Sequence, residues 1–270
     1  MTEFHVFSAG NVADEEVTLR QITTSDTFDA LLQGYRDFMK RPSHYVFAVA
    51  FLPIIGIVLY YWASGGNLFQ LLFPMTTGFA LLGPFAALGL YEISRRLEMD
   101  ADLSFKHIFG VFKSPAIPAI LAIGALLVAL FTVWLFAAQV LYTVLYGNDY
   151  PDSLLSFFVD VISTSKGWIM IILGNGVGFL IALFVLYTTV IAFPLLLDRD
   201  VGARTAVATS MRAVQMNPVP MLLWGFIVAV GIFIGAVTGL VGLVVVLPIL
   251  GHGTWHMYRK VVVGSRPVEA

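Results

Sequence analysis

Long apolar segments whose interiors contain no Asp, Glu, Lys or Arg constrain this chain more than any other feature of its sequence. A bilayer core about 30 Å thick needs about 20 apolar residues in a helix that rises about 1.5 Å per residue. The final apolar stretch, Val219 to Tyr258, would run about 60 Å as one helix, so we interpret it as a hairpin. The segments predict six spans: 44–63, 69–91, 117–146, 167–197, 219–238 and 240–258.

Composition supports the same fold class. Of the 270 residues, 59% are hydrophobic and only 12% are charged, whereas about a quarter of the residues in a soluble domain are charged. We therefore predict an all-α polytopic membrane protein. The absence of cysteine excludes disulfides, thiolate metal sites and cysteine nucleophiles. The net charge of −2 and the dispersed basic residues argue against a nucleic-acid partner.

The basic residues predict how the chain is oriented. Lys and Arg near span ends favour the cytoplasmic side, and six spans with a cytoplasmic N-terminus place every Lys and Arg except Lys166 on that side. Five spans would put Arg259, Lys260 and Arg266 outside. The polar, acidic N-terminus lacks the basic start and apolar core of a signal peptide. We divide the chain into a flexible cytoplasmic arm (1–26), a single transmembrane domain (27–263) and a cytoplasmic tail (264–270).

Three similar segments enter the three predicted hairpins: DALLQGYRDFMKRPSHYVF, SFKHIFGVFKSPAIPAIL and AVATSMRAVQMNPVPMLLW. Each is a short amphipathic run that ends at a proline, and such helices suit the membrane interface. The returning spans each carry a proline near the cytoplasmic end. These observations predict three hairpins, each preceded by an interface helix, with a pseudo-threefold repeat. The alternative is that common membrane constraints produced the similarity. The prolines concerned are Pro42, Pro115 and Pro218, then Pro84, Pro194 and Pro248.

Four stretches carry a resemblance to a known family: GPFAALGLYEISRRLE, SFKHIFGVFKSP, FPLLLDRD and VLPILGHGTWHMYRK. From about Phe28 to Val263 the chain resembles six-helix inner-membrane proteins of proteobacteria that are grouped as a domain of unknown function. The resemblance implies a multi-pass protein of the bacterial inner membrane and no established activity. Some members are labelled cytochrome c oxidase subunit I, which suggests a respiratory complex as a partner.

The histidine content of the chain shows whether that label can describe a catalytic subunit. A haem-copper subunit needs more histidine ligands and more spans than five histidines and six predicted spans supply. His252 and His256 are four residues apart, so both imidazoles can face one side of a helix and are candidates for haem or metal binding. Two ligands make an incomplete site. The alternative is that Trp255 and His256 are amphipathic residues at the interface. We expect no cofactor and no metal.

Charged residues at the span ends are the next candidates. Glu92 could carry a proton, pair with Arg95 and Arg96 along its own helix, or pair across the bundle with Arg259 or His256. If Glu92 pairs with Arg95 and Arg96, the ion pair ends the span and fixes its depth. If Glu92 pairs across the bundle, the contact connects two hairpins. Asp198 and Arg199 are the charged residues at the corresponding end of the fourth predicted span.

Two amides lie inside predicted spans, Asn175 and Gln139. They could line a solute path, or they could stabilise helix packing through interhelical hydrogen bonds. Glycines near Asn175, and at Gly231, Gly235 and Gly239, suit close helix approach or self-association. The span interiors lack the charged groups that coupled carriers use, and the chain lacks phosphate-loop, nucleophile-elbow and zinc-hydrolase motifs.

Together these patterns favour a non-enzymatic accessory, assembly or scaffold protein that contacts the lipid bilayer and other membrane proteins. Candidate interaction residues share positions at span ends or in spans. They are Glu92, Arg95, Arg96, Asn175, Asp198, Arg199, Trp255, His256 and Arg259. A small-solute channel or transporter is the first alternative, and a haem or metal redox subunit that uses His252 and His256 is the second. The sequence leaves the oligomeric state open.

Overall fold

A computed structural model describes residues 17–40, 61, 68–101, 115–147, 149, 151–238 and 241–264. These residues are almost entirely helical, with one isolated antiparallel bridge between Leu19 and Val262. The predicted span 44–63, apart from residue 61, lies outside the described residues, and so does nearly all of the second predicted interface segment, 104–115. The pseudo-threefold repeat therefore stays a prediction.

The helices follow one another with short connections. Two of them, α1 (Thr24–Lys40) and α9 (Ala203–Met216), occupy the positions of predicted interface helices. The helix α6 (Leu154–Ser163) lies between the third and fourth predicted spans. The remaining helices are α2 (Phe69–Phe79), α3 (Gly83–Ala86), α4 (Leu88–Glu98), α5 (Ile117–Tyr146), α7 (Ser165–Thr189), α8 (Ala192–Asp198), α10 (Pro218–Val237) and α11 (Leu243–Val261).

Four helical stretches are long and apolar enough to cross a membrane: Phe69–Glu98, Ile117–Tyr146, Ser165–Asp198 and Pro218–Val237. They contain four of the six predicted spans, and they confirm a polytopic helical membrane protein. The sixth predicted span corresponds to α11. The second half of that helix is polar and closely surrounded, with every residue from Leu250 to Tyr258 buried.

Proline divides two of the four stretches into shorter helices. Because proline lacks an N–H and clashes with the carbonyl four residues earlier, the helix is disturbed before each proline. Residues Ala80–Leu82 form a 3-10 turn just before Pro84. The main chain also breaks between α7 and α8, three residues before Pro194, and there the N–H of Ile191 donates to the Ser210 hydroxyl at 3.2 Å. A side chain of α9 thus satisfies a backbone group that the break exposes.

α1 packs on α11 through its small and polar face, which consists of Thr27, Ala30, Gly34 and Asp37. A Cβ atom on Gly34 would lie 2.5 Å from the backbone nitrogen of Gly253, so only glycine permits this approach. The apolar residues Phe28, Leu32, Tyr35 and Met39 are exposed on the other side of α1. The side of α1 that binds the bundle is therefore its small-residue face.

The segment that precedes α1 is also packed. The sequence analysis places residues 17–26 in a flexible arm, whereas the structure has Val17 and Ile22 buried. The N–H of Arg20 donates to the Val261 carbonyl at 2.9 Å, and the N–H of Ile22 donates to Oδ1 of Asn217 at 2.8 Å. These contacts attach the described part of the segment to the end of α11 and to Asn217, and local composition does not record them.

Candidate functional site

The polar half of α11 meets the ends of α1, α4 and α8 at the end of the bundle that carries most of the arginines. We call this end the basic rim. Side chains from these four helices form one connected group, which we call the rim cluster. Its members are Asp37, Ser94, Glu98, Asp198, His252, His256, Tyr258 and Arg259.

Asp37 is the centre of the cluster. Its Oδ2 atom accepts a hydrogen bond from the Ser94 hydroxyl at 2.9 Å and lies 2.8 Å from Nε2 of His256. Its Oδ1 atom lies 3.3 Å from Nζ of Lys40. Burial acts to raise the pKa of Asp37, but the hydrogen bonds from His256 and Ser94 and the nearby imidazoles lower it below its usual value. Asp37 is therefore held as a carboxylate that joins α1 to α4 and α11.

His252 occupies the deeper end of the cluster. Its Nδ1 atom lies 2.7 Å from the Ser94 hydroxyl oxygen, and both residues are fully buried. Serine, histidine and aspartate thus meet, but Ser94 contacts both Asp37 and His252, whereas in hydrolases the histidine lies between the serine and the carboxylate. Here, however, the Ser94 hydroxyl is enclosed between α1, α4 and α11, so a substrate cannot approach it without opening the bundle.

A second set of contacts connects α4, α8 and α11. Arg259 donates through Nε to Glu98 at 3.0 Å, and its Nη1 lies 3.7 Å from Asp198. The Tyr258 hydroxyl donates to Oδ2 of Asp198 at 2.5 Å. His256 also lies 3.9 Å from Glu98 through Nδ1. Arg259 and His256 therefore join both sets of contacts into one network.

Glu92 binds residues of its own helix. It accepts from Arg95 at 2.8 and 3.0 Å and from Arg96 at 2.7 Å, with side-chain exposures of about 20% for both arginines. This geometry matches the second of the three readings from the sequence. The cross-bundle contact to Arg259 is made by Glu98, six residues further along α4.

The other candidate residues lie apart from the cluster or at its edge. Trp255 is fully buried and packs 5.4 Å from the Tyr258 ring, while Arg199 donates to the Val263 carbonyl at 3.0 Å. Gln139 accepts from Gln70 of α2 at 3.4 Å, so it does join two helices. Asn175 is exposed on the outside of α7 and donates only to a carbonyl of its own helix among the described residues.

One ring nitrogen of each histidine is hydrogen-bonded to a polar side chain of the protein. His252 faces Ser94 through Nδ1, and His256 faces Asp37 through Nε2. Within the described ranges, the structure has no group of three or more His, Asp or Glu side chains placed to hold a metal ion. The pair in LGHGTWH therefore points into a hydrogen-bonded network that the sequence spacing alone did not identify.

A cavity of about 220 Å³ opens beside the rim cluster between α1, α4 and α11. Its lining combines two exposed cations, Arg36 and Lys40, with carboxylates that already have cationic or imidazole partners. Arg36 makes no hydrogen bond or ion pair with the residues that the structure describes. The full lining is Gln33, Arg36, Asp37, Lys40, Leu97, Glu98 and His256.

Sequence reasoning missed Asp37, Ser94 and Glu98. The available signal was the spacing of Thr27, Ala30, Gly34 and Asp37, which places small residues and one carboxylate on a single side of α1. The apolar residues of α1 give the stronger amphipathic pattern, which predicts an interface helix instead. Ser94 carried no signal, because a lone serine at a helix end is common, and its partners lie far away in the chain.

Comparison with known proteins gives one finding. Residues 72–198 match the model of a family described as "Predicted integral membrane protein (DUF2189)". That range includes Ser94, Glu98 and Asp198 of the rim cluster, while Asp37 and the α11 residues lie outside it. No curated protein and no solved structure matches the chain significantly. The protein is thus an integral membrane protein that is similar, over residues 72–198, to an uncharacterised membrane family.

Proposed function

We propose that the protein is a non-enzymatic accessory or scaffold protein that binds a neighbouring membrane protein through the cavity at its basic rim. The observation that carries this proposal is an exposed Arg36 at an open cavity whose carboxylates, Asp37 and Glu98, already have partners within the protein. The carboxylates hold the helices together, and Arg36, which has no partner among the described residues, is available to an acidic group, with Lys40 beside it in its exposed pair with Asp37.

The burial of the side chains that could act as nucleophile, acid or base supports a non-enzymatic role. Ser94 and His252 are both fully buried, and Asp37 is 5% exposed. A nucleophile must reach its substrate, and an acid or base must reach the proton that it transfers. Residues held this way stabilise the packing of α1, α4 and α11, so the rim presents a preorganised surface.

The chemistry of the cavity favours an acidic partner. Arginine and lysine bind carboxylate or phosphate groups through charge-assisted hydrogen bonds, and Arg36 has these donors free of any described residue. A partner protein that places an acidic side chain at the membrane surface fits this site. A respiratory complex is one such partner, because some members of the family that the sequence resembles are labelled cytochrome c oxidase subunit I.

Purification from native membranes in a mild detergent tests the proposal, with mass spectrometry of the co-purified protein and lipid. We expect a reproducible membrane protein that is lost from the variant with Arg36→Gln and Lys40→Gln. The matched control, Lys166→Gln, removes the one lysine predicted on the opposite side and should retain the partner. Absence of any reproducible protein, or recovery of an anionic lipid alone, would contradict a protein partner.

We also propose six spans in a bacterial inner membrane, with both termini on the cytoplasmic side. The basic residues that surround the rim cluster support this orientation, because cytoplasmic ends of spans are enriched in Lys and Arg. The chain contains no cysteine, so single-cysteine variants can report the location of each position without background. Labelling of Ser153→Cys, but not of Thr18→Cys, by an impermeant reagent added from outside the inner membrane is expected. The reverse pattern would overturn the orientation.

A further inference from the structure

α7 has an outward face that the other described residues leave open. Of the four apolar stretches, the one that contains α7 is the least buried, at 6% of its most apolar window against 22–33% in the other three. Gly178 and Val185 mark the packed side of the helix, since Gly178 faces Trp134 and Val185 is buried. One side of α7 is therefore packed against the protein, while the opposite side is exposed along the same length of helix.

Five exposed residues form a regular line along this open side. Trp168, Ile172 and Phe179 are 54%, 66% and 63% exposed, and Asn175 and Ala182 are exposed as well. Their spacing alternates between four and three residues, which is the spacing of the contact seam in a pair of supercoiled helices. We call these five residues the α7 seam.

Asn175 occupies the centre of the α7 seam. It lies about 12 Å along the helix axis from residue 167, where the span is predicted to begin, so it is placed in the hydrocarbon region. Its Nδ2 donates to the Ile171 carbonyl at 2.8 Å. Among the residues that the structure describes, nothing donates to its carboxamide oxygen. A carboxamide facing lipid in this way loses hydrogen bonds that water would supply.

A second copy of the chain would supply the hydrogen bonds that this side chain lacks. Copies inserted in the same membrane have the same orientation, so two α7 helices related by a twofold axis along the membrane normal are parallel. Parallel pairing places Asn175 opposite Asn175 at equal depth, where each carboxamide can both donate and accept. This pairing also favours one register, because any shift along the helices would leave both carboxamides facing lipid. Gly176 has open space beside it and leaves room for the approach.

We infer that the protein forms a homodimer in the membrane through the α7 seam, with the two Asn175 side chains hydrogen-bonded to each other. This inference does not depend on the proposed function, because α7 contributes no residue to the rim cavity. A protein could dimerise in this way whether or not the rim binds a partner. The two proposals are therefore tested by separate experiments.

Disulfide cross-linking in native membranes tests the dimer directly, because the chain has no cysteine of its own. Single cysteines at Ile172, Asn175 and Phe179 lie on the seam. Those at Leu173, Val177 and Leu180 are also exposed but lie off it. We expect cross-linked dimers from the first set and much less from the second. Equal yields in both sets, no dimer in either set, or cross-links to a different protein would overturn the inference.

A second measurement isolates the Asn175 hydrogen bond. Because Asn175 is exposed, Asn175→Leu should fold normally, and energy transfer between labelled copies in lipid bilayers should show weaker association. The expected increase in the dissociation constant is about 3- to 30-fold, the range that interhelical hydrogen bonds give in lipid. Asn175→Gln should restore part of the affinity. Gln139→Leu removes a span amide that bonds within the chain and should leave association unchanged. An unchanged dissociation constant in Asn175→Leu would contradict the pairing.

Discussion

Asp37 of α1 and His256 of α11 lie 2.8 Å apart, from carboxylate Oδ2 to imidazole Nε2, and their residues are 5% and 8% exposed. The two residues are far apart in the sequence, so this contact exists only because α1 crosses the end of α11. Ser94 donates to the same carboxylate oxygen, which brings α4 into the contact. Three helices thus depend on one buried anion.

Replacing this anion should destabilise the bundle. Asp37→Leu leaves Ser94 and His256 without their acceptor, and removal of one partner from a buried, hydrogen-bonded pair should lower the free energy of unfolding by about 2–4 kcal/mol. The melting temperature in mild detergent measures the effect. The control is Asp29→Asn, whose side chain is 44% exposed and binds Lys260, and a loss below about 1 kcal/mol is expected there. Equal losses in the two variants would show that Asp37 is an ordinary surface carboxylate.

Stability should depend on pH through the same residue. The pKa of Asp37 is lowered in the folded protein, so the folded state binds this proton less readily than the unfolded state. Its contribution is therefore fully present above the ordinary carboxylate value of 3.8 and is lost as the pH falls through the lower, folded value. Melting temperatures recorded downward from pH 6 should fall steeply in this acid range. A variant with Asp37→Asn should fall less steeply, and parallel curves would contradict the assignment.

The contact between Glu98 and Arg259 should be energetically coupled, whereas Glu92 and Arg259 should not be. A double-mutant cycle with Glu98→Gln and Arg259→Gln should give a coupling of about 0.5–1.5 kcal/mol, because both side chains are partly buried and bonded at 3.0 Å. The matched cycle with Glu92→Gln should give a coupling near zero, since Glu92 binds Arg95 and Arg96. A larger coupling for Glu92 would restore the cross-bundle role considered from the sequence.

The close approach of α1 to α11 should tolerate no side chain at Gly34. In Gly34→Ala the new methyl group would meet the Gly253 backbone at 2.5 Å, so the helices must separate and the melting temperature should fall. Gly174→Ala is a matched control, because the nearest atom to its added Cβ atom is in the Leu141 side chain at 3.7 Å, an ordinary van der Waals distance. That variant should be neutral or slightly stabilising, since alanine favours a helix. A harmless Gly34→Ala would mean that α1 does not pack this closely.

The sequence by itself determined the fold class, because a run of about 20 uncharged apolar residues has few outcomes other than a membrane helix. It also placed Glu92 within reach of Arg95 and Arg96, since spacings of three or four residues are local properties, and left its proton-carrying and cross-bundle readings open. Each of these conclusions required only neighbouring residues and the dimensions of the bilayer.

Only the tertiary structure decided which distant residues meet. Asp37, Ser94 and His252 come from three helices, and no local pattern records that α1 crosses α11 at Gly34 and Gly253. The structure likewise turned Asn175 outward, although the sequence suggested a role inside the bundle. The physical reason is that two helices pack where their complete surfaces are complementary in shape, which a local sequence pattern does not record. The same amphipathic helix can be held by its apolar stripe or, as α1 is, by its small residues.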